Sequence, residues 1–300
     1  MAADSPSTVR FAPSPNGYLH LGHALSAILN AGMAEATGGR FLIRIDDLDT
    51  NRARPEFEAA IFEDIGWLGL AFDPAIRRQS DHVAAYEEAL ARLDVMGLVR
   101  RSYATRREIA EAAAAAEAAG RAWRRDPDGG WHVPPDETFL PDAVRRERID
   151  AGRPATLRLR MADALARLDG PLTFEEGNAG PSGETGRVTA DPAAWGDVVV
   201  GRSDVPGSYH LSVVVDDAAQ GITHVIRGQD LFHATSIHRL LQALLGLPVP
   251  VYRHHRLILD ADGRKLSKSS GATSLRDLRA GGLTPAAVRR RIGVAVPPPA

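Results

Sequence analysis

Cysteine is absent from these 300 residues, and lysine nearly so. Without cysteine there is no disulfide and no thiolate to hold a metal, so redox compartment is unconstrained from this side. No run of about eighteen apolar residues occurs, the length a bilayer-spanning helix needs. The opening residues, MAADSPS, lack a basic segment followed by an apolar one. Nothing therefore points to a membrane or to secretion, and a cytoplasmic protein is the expectation. Of 36 basic residues, 34 are arginine; the two lysines, Lys265 and Lys268, share the pentapeptide KLSKS. A compact ammonium differs chemically from a planar guanidinium, above all against phosphate oxygens. The clustering therefore reads as functional, with chance as the plainer account.

The length suits one large domain or two smaller ones with a substantial core. A net charge of −2 hides an asymmetry. Residues 1–97 hold 8 Arg against 14 acids, residues 98–160 hold 13 against 10, and residues 161–300 hold 15 basic residues against 14. The middle third is the most basic, which fits a polyanionic partner. Arginines scattered over solvated helices account for it about as well.

The most informative stretch is RFAPSPNGYLHLGH, residues 10–23. Val9 and Phe11 read as a short strand ending at Pro13, and Pro13, Pro15 and Gly17 force a loop. Leu21, Ala24, Leu25, Ile28 and Leu29 then follow helical spacing. His20 and His23 fall in that helix's first turn, on one face. A helix start offers unpaired N–H groups and partial positive charge, the requirements of a phosphate site, and Gly22 permits close approach. Taken alone, HxxH also reads as two solvated histidines or half a metal site. It lacks the glutamate of the HExxH zinc motif, and no third ligand is evident.

Residues 40–45 (RFLIRI) read as a buried parallel strand, completing a right-handed β-α-β unit and beginning a doubly wound sheet. Asp46, Asp47 and Asp49 follow at its carboxyl end, where ligands bind in such sheets. Helices are expected near residues 55–67, 83–96 and 110–119. Residues 126–141 read as loop, 156–160 as strand, and the Gly- and Pro-rich 169–196 as an exposed hairpin or mobile loop. Residues 209–215 (YHLSVVV) and 222–227 (ITHVIR) read as strands and 231–245 as a helix. Two short basic helices close the chain. Asp216 and Asp217 read as caps of the next turn, with Mg2+ coordination as the alternative.

PSPNGYLHLGH resembles the HIGH signature, and KLSKS the KMSKS signature, of class I aminoacyl-tRNA synthetases. RFAPS, RIDD, RQS and VVVDDAAQGITHVIRG resemble the glutamyl branch. The chain stops soon after KLSKS, a shape similar to the short glutamyl-Q tRNA(Asp) synthetases, which lack the anticodon-binding domain and attach glutamate to queuosine in the anticodon of tRNA(Asp). The resemblance implies an α/β fold: a Rossmann-like doubly wound parallel sheet with an inserted α+β subdomain and a short helical tail. Residues 1–99 and 197–259 would form the two halves of the catalytic domain. Residues 100–196 would be the insert, at the zinc-module position and with an RNA contact region, and 260–300 the KLSKS loop and tail. ATP, Mg2+, L-glutamate and queuosine-bearing tRNA(Asp) are the implied ligands, and a monomer is expected. A truncated synthetase charging tRNA(Glu), and an inactive paralogue binding ATP or RNA, are the competing readings.

By the same resemblance His20, His23 and Lys268 are catalytic, and Gly22, Lys265 and Ser267 join them in binding ATP. Arg10, Ala12, Ser14, Asp46, Tyr209 and Arg227 would bind glutamate; an ordinary ion-pair network of Arg10, Asp46 and Arg227 is the plainer reading. Two departures stand out. Asp46 replaces the family's glutamate, one methylene shorter. Ser102 and Ala104 stand where the family has zinc-binding cysteines, so no zinc is expected. Trp123, Trp131 and Phe139 are the candidates for an apolar cluster in its place, and His132 reads as a loop residue.

Overall fold

The computed structural model of the protein describes residues 6–202, 207–260, 262–264, 266 and 273–295. β1 (Thr8–Phe11), α1 (Leu21–Thr37) and β2 (Arg40–Ile45) form the N-terminal β-α-β unit, with β1 and β2 parallel and Val9 opposite Phe41. Gly38 closes α1 at φ 62°, a left-handed conformation that glycine adopts without a Cβ clash. α2 (Pro55–Trp67) starts with proline, whose missing N–H costs nothing in a first turn. β3 (Arg77–Arg78) extends the parallel sheet beyond β2, and α3 (Val83–Val95) follows.

Next come β4 (Val99–Ser102), α4 (Arg106–Ala118), α5 (Asp142–Asp150), β5 (Thr156–Leu159) and α6 (Met161–Leu165). β6 (Thr173–Glu176) and β7 (Gly186–Thr189) make an antiparallel hairpin. β8 (Val199–Arg202), α7 (Tyr209–Ala219), β9 (His224–Gly228), α8 (Thr235–Leu245) and β10 (Val251–His255) complete the centre; α9 (Leu275–Ala280) and α10 (Pro285–Arg291) form the tail. β10 is parallel to β9 on one side and meets β6 on the other. β9 lies beside β1, tied by the Thr223 N–H donating to Thr8 O at 2.9 Å. The halves of the chain thus join along β1 and β9, and β4, β5 and β8 form a separate antiparallel sheet.

One core packs α1 and α2 on β1 and β2, with Val9, Ile43, Ile45, Ile61 and Ile65 fully buried. Each such side chain contributes about 1.5–3 kcal/mol. Leu275, Val288 and Ile292 of the tail enter the same cluster, so the tail is fastened to the first β-α-β unit. A second core joins α3, α7 and α8 to β4 and β5. Among the described residues no helix is long and apolar enough to cross a membrane.

Several sequence expectations need correction. Residues 209–215 are not a strand: they begin α7, which packs against α3 and α8. Burial of Leu211, Ser212, Val213 and Val214 on successive positions erased the amphipathic period and made the run look like a strand. The Gly- and Pro-rich region does hold the expected hairpin, β6–β7, but through β6 it also extends the sheet at β10. β8, read with the second half of the catalytic domain, pairs with β5. Trp123 meets Phe139 edge-on at 6.3 Å, whereas Trp131 leaves that cluster and stacks on the Arg125 guanidinium at 3.2 Å. His132 is held in its loop by Nε2–H donating to Ala194 O at 2.9 Å.

Where the family has its first zinc cysteines, Ser102 Oγ donates to Asp136 Oδ1 at 2.7 Å and the Tyr103 N–H donates to Oδ2 at 2.6 Å. A buried carboxylate thus pins the turn after β4. Serine, alanine and this occupied aspartate are not a zinc donor set. Among the described residues no group of three or more His, Asp or Glu side chains is arranged to hold a metal ion.

Candidate active site

The start of α1 is capped by its own histidines. His20 is the cap residue, with extended backbone, and its Nδ1 accepts from the Gly22 N–H at 3.1 Å. His23 Nδ1 accepts from the His20 N–H, also at 3.1 Å. With Nδ1 an acceptor, each neutral ring carries its proton on Nε2, a donor suited to an anionic oxygen. The segment after the lysine pair docks here too: the Leu275 N–H donates to Leu19 O at 2.7 Å, and Ser274 bridges to His20.

A cavity of about 660 Å³ opens at this helix start. Arg10, Ala12, Ser14, His20, Gly22, His23, Asp46, Tyr209 and Arg227 all line it, so the expected residues from β1, α1, β2, α7 and β9 converge on one space. Leu266, inside the KLSKS pentapeptide, lines it as well. Lys265, Ser267 and Lys268 lie outside the described residues. Asn16, Arg52, Asp230 and His255 are further lining residues, which the sequence reading did not single out.

The charged floor differs from expectation. Asp216 and Asp217 are buried inside α7, one turn from its end, and neither caps a turn. Asp217 accepts from Arg10 Nε at 2.9 Å and Nη2 at 3.2 Å, and from Arg44 Nη1 at 2.6 Å. Arg44, fully buried, also donates to Asp46 Oδ1 at 2.8 Å. Asp216 accepts from Arg77, Gln79 and Tyr86. Burial alone would lower the pKa of Arg44, but Asp46, Asp217 and Asp216 together raise it. Burial pushes Asp46 up, against the pull of Arg44, whereas Arg10 and Arg44 hold Asp217 below its ordinary value despite burial. Three arginines and three aspartates therefore form a balanced lattice around Arg10 and Asp46.

Arg227 stands outside that lattice. It is buried, and among the described residues no carboxylate lies within ion-pair distance of it. Its partners are the imidazoles of His254 and His238, the Thr235 hydroxyl and the Leu231 carbonyl. Sequence spacing gave no sign of this, because the partners sit on neighbouring elements. The cavity thus presents neutral imidazole donors at a helix start, a charge-balanced arginine, and an arginine with neutral partners. It can hold an anionic phosphate chain beside a dicarboxylate.

A family model for the catalytic domain of class I tRNA synthetases (E and Q) matches residues 7–295. The chain is 48% identical over 294 residues to a Rhodobacter capsulatus protein named Glutamyl-Q tRNA(Asp) synthetase, covering 95% of this chain and 99% of that one. It is 42% identical over 284 residues to Glutamate–tRNA ligase 2 of a Methylobacterium species, covering 93% of this chain and 58% of the ligase. The crystal structure of a glutamate tRNA ligase from Elizabethkingia meningosepticum in complex with its amino acid matches with a TM-score of 0.69 at 27% identity, over 89% of this chain and 53% of that one. The chain thus spans little more than half the length of the two ligases. It belongs to the catalytic-domain family of the class I tRNA synthetases that act as the E and Q types.

Proposed function

We propose that this cavity activates L-glutamate with ATP and passes the glutamyl group to queuosine in the anticodon of tRNA(Asp). The observation that carries the reading is the convergence, on one cavity, of the histidine-capped helix start with Arg10, Tyr209 and Arg227. Likeness over nearly its whole length to a glutamyl-Q tRNA(Asp) synthetase supports the choice of acceptor.

In the first step a glutamate α-carboxylate oxygen attacks the α-phosphorus of ATP. The bond to the β-phosphate breaks, and pyrophosphate leaves glutamyl-adenylate behind. In the second, a hydroxyl oxygen of queuosine attacks the acyl carbon, the acyl–phosphate bond breaks, the hydroxyl proton passes to the departing phosphate, and an ester and AMP result. The protein's contribution is positioning and stabilisation of charge on phosphoryl oxygens. His20 and His23 donate through Nε2 to the phosphates, and Gly22 lets them approach the helix start. Lys268, with Lys265 and Ser267, meets the charge that develops as pyrophosphate departs. Arg10 and Arg227 receive the glutamate carboxylates, Ser14 and Tyr209 add neutral hydrogen bonds, Ala12 leaves room beside the chain, and Asp46 faces the α-ammonium. Mg2+ would come with ATP and offset charge on its phosphates, since among the described residues no set of three carboxylates or imidazoles is arranged to hold it alone.

Labelled glutamate offered with ATP to queuosine-containing tRNA(Asp), unmodified tRNA(Asp) and tRNA(Glu) tests the reading. Base-labile label on the queuosine-containing tRNA alone is the expected result. Charging of tRNA(Glu) alone would transfer the activity to the 3′-end chemistry of a glutamyl-tRNA synthetase. Failure to exchange pyrophosphate into ATP with glutamate, with or without tRNA, would leave a binding protein.

A further inference from the structure

Arg227 and His254 face each other in register on the parallel strands β9 and β10. Four of the five N–H groups of a guanidinium are used. Nε donates to His254 Nε2 at 3.1 Å, Nη1 to His238 Nδ1 at 3.1 Å, and Nη2 to Leu231 O at 3.1 Å and Thr235 Oγ1 at 2.8 Å. Arginine can only donate, so both ring nitrogens facing it are acceptors. The proton of His254 is then on Nδ1, where it donates to Glu176 Oε2 at 2.5 Å. Glu176 Oε1 accepts the backbone N–H groups of His254 and Asn178, each at 3.0 Å. His238 in turn carries its proton on Nε2, 3.3 Å from His210 Nδ1.

We propose that Glu176, His254 and His238 are positioning residues that orient Arg227 without neutralising it, so that the site selects a side-chain carboxylate over a carboxamide. The inference rests on the glutamate reading above and deepens it. Compare Arg10, whose charge Asp217 already offsets. Had a carboxylate gripped Arg227 in the same way, an incoming glutamate would gain little over glutamine. With only neutral acceptors around it among the described residues, the guanidinium receives its counter-charge from the ligand, and charge-assisted bonds are roughly twice as strong as neutral ones. A carboxamide brings an NH₂ group toward a residue that has only donors. Glu176 completes the device from one imidazole away: it holds the His254 proton on the far nitrogen, so the near one stays an acceptor. The titration behaviour agrees. Burial and the Arg227 charge push the His238 ring well below its ordinary value, and burial lowers His254 against the pull of Glu176. Burial and Arg227 push His210 down to about 4, so the chain of acceptors stays neutral.

The test is glutamate-dependent pyrophosphate exchange, with and without tRNA, yielding separate KM values for glutamate and ATP, kcat, and glutamate-over-glutamine preference. Thermal unfolding is recorded alongside. His238→Leu removes an acceptor, and Glu176→Gln removes the carboxylate that orients His254. Each is expected to raise the glutamate KM about tenfold and lower the preference about tenfold, with the ATP KM within about twofold. His238→Gln keeps a neutral acceptor and is expected to return both values to within about threefold of wild type. Unchanged glutamate KM and preference in His238→Leu and Glu176→Gln would overturn the proposal. So would a rise in both KM values together with a lower melting temperature in every variant, which is the mark of a merely structural role. If either loss variant fails to fold, the other two still decide it. No exchange by the wild-type protein would instead overturn the glutamate reading itself.

Discussion

Asp64 is fully buried on α2, neither of its carboxylate oxygens has a hydrogen-bond partner, and Arg279 Nη1 is 3.9 Å away. Burial, only partly opposed by Arg279, pushes its pKa from 3.8 up to about 6. The folded state therefore holds this proton more tightly than the unfolded chain does. Its contribution is full below pH 4 and is lost as pH rises through about 6. Asp64→Asn is expected to be more stable than wild type at pH 7.5, by up to about 3 kcal/mol. The advantage should shrink toward pH 4.5, and urea unfolding of both proteins at the two pH values measures it. Asp217 is the opposite case. It serves two buried arginines at once, so Asp217→Asn strands charge and should cost about 3 kcal/mol in the same assay. Lys268→Ala should leave stability alone and raise the activation barrier for pyrophosphate exchange by about 2–4 kcal/mol.

Among the elements, α7 carries the clearest lesson. Ser208 caps it, its Oγ accepting from the Leu211 N–H, and Ser208→Ala is expected to cost about 1 kcal/mol of unfolding free energy in denaturant titration. That cap was the available signal for a helix over YHLSVVV. It was not used in reading the sequence, and the three consecutive valines favour a strand unless tertiary packing decides otherwise. Between α3 and α8 the packing does decide, and the same helix turns Asp216 and Asp217 toward Arg77, Arg10 and Arg44 instead of a turn. By contrast β1, α1 and β2 were legible because their breakers, periodicity and buried run agree with one another. α9 and α10 were legible from their short length and basic ends. The cavity's outline was legible through the motif residues, which lie at the ends of these elements.

At the scale of the molecule, the site is assembled from parts that sequence spacing does not connect. Arg10 and Asp217 are 207 positions apart, and Glu176 and His254 are 78 apart. A linear reading finds such residues only where a motif names them, so Arg10 and Arg227 were found and Glu176, His238 and His254 were not. Nor did the regional charge balance help, since the lattice beneath the cavity is neutral and buried while charge counts describe mostly surface.

The β6–β7 hairpin is paired to the parallel sheet at one register position, Glu176 opposite Tyr252, beside the Phe174–Tyr252 ring contact at 5.6 Å, and Glu176 is also the residue bonded to His254. The hairpin is therefore a lever on the amino-acid pocket. Thermodynamic reciprocity requires that whatever steadies the pocket also steadies the lever. Amide hydrogen exchange in β6 and β7 should slow when glutamate and ATP are supplied together, and the slowing should vanish in Glu176→Gln. Residues far from any reacting atom would then govern how tightly the amino acid is gripped.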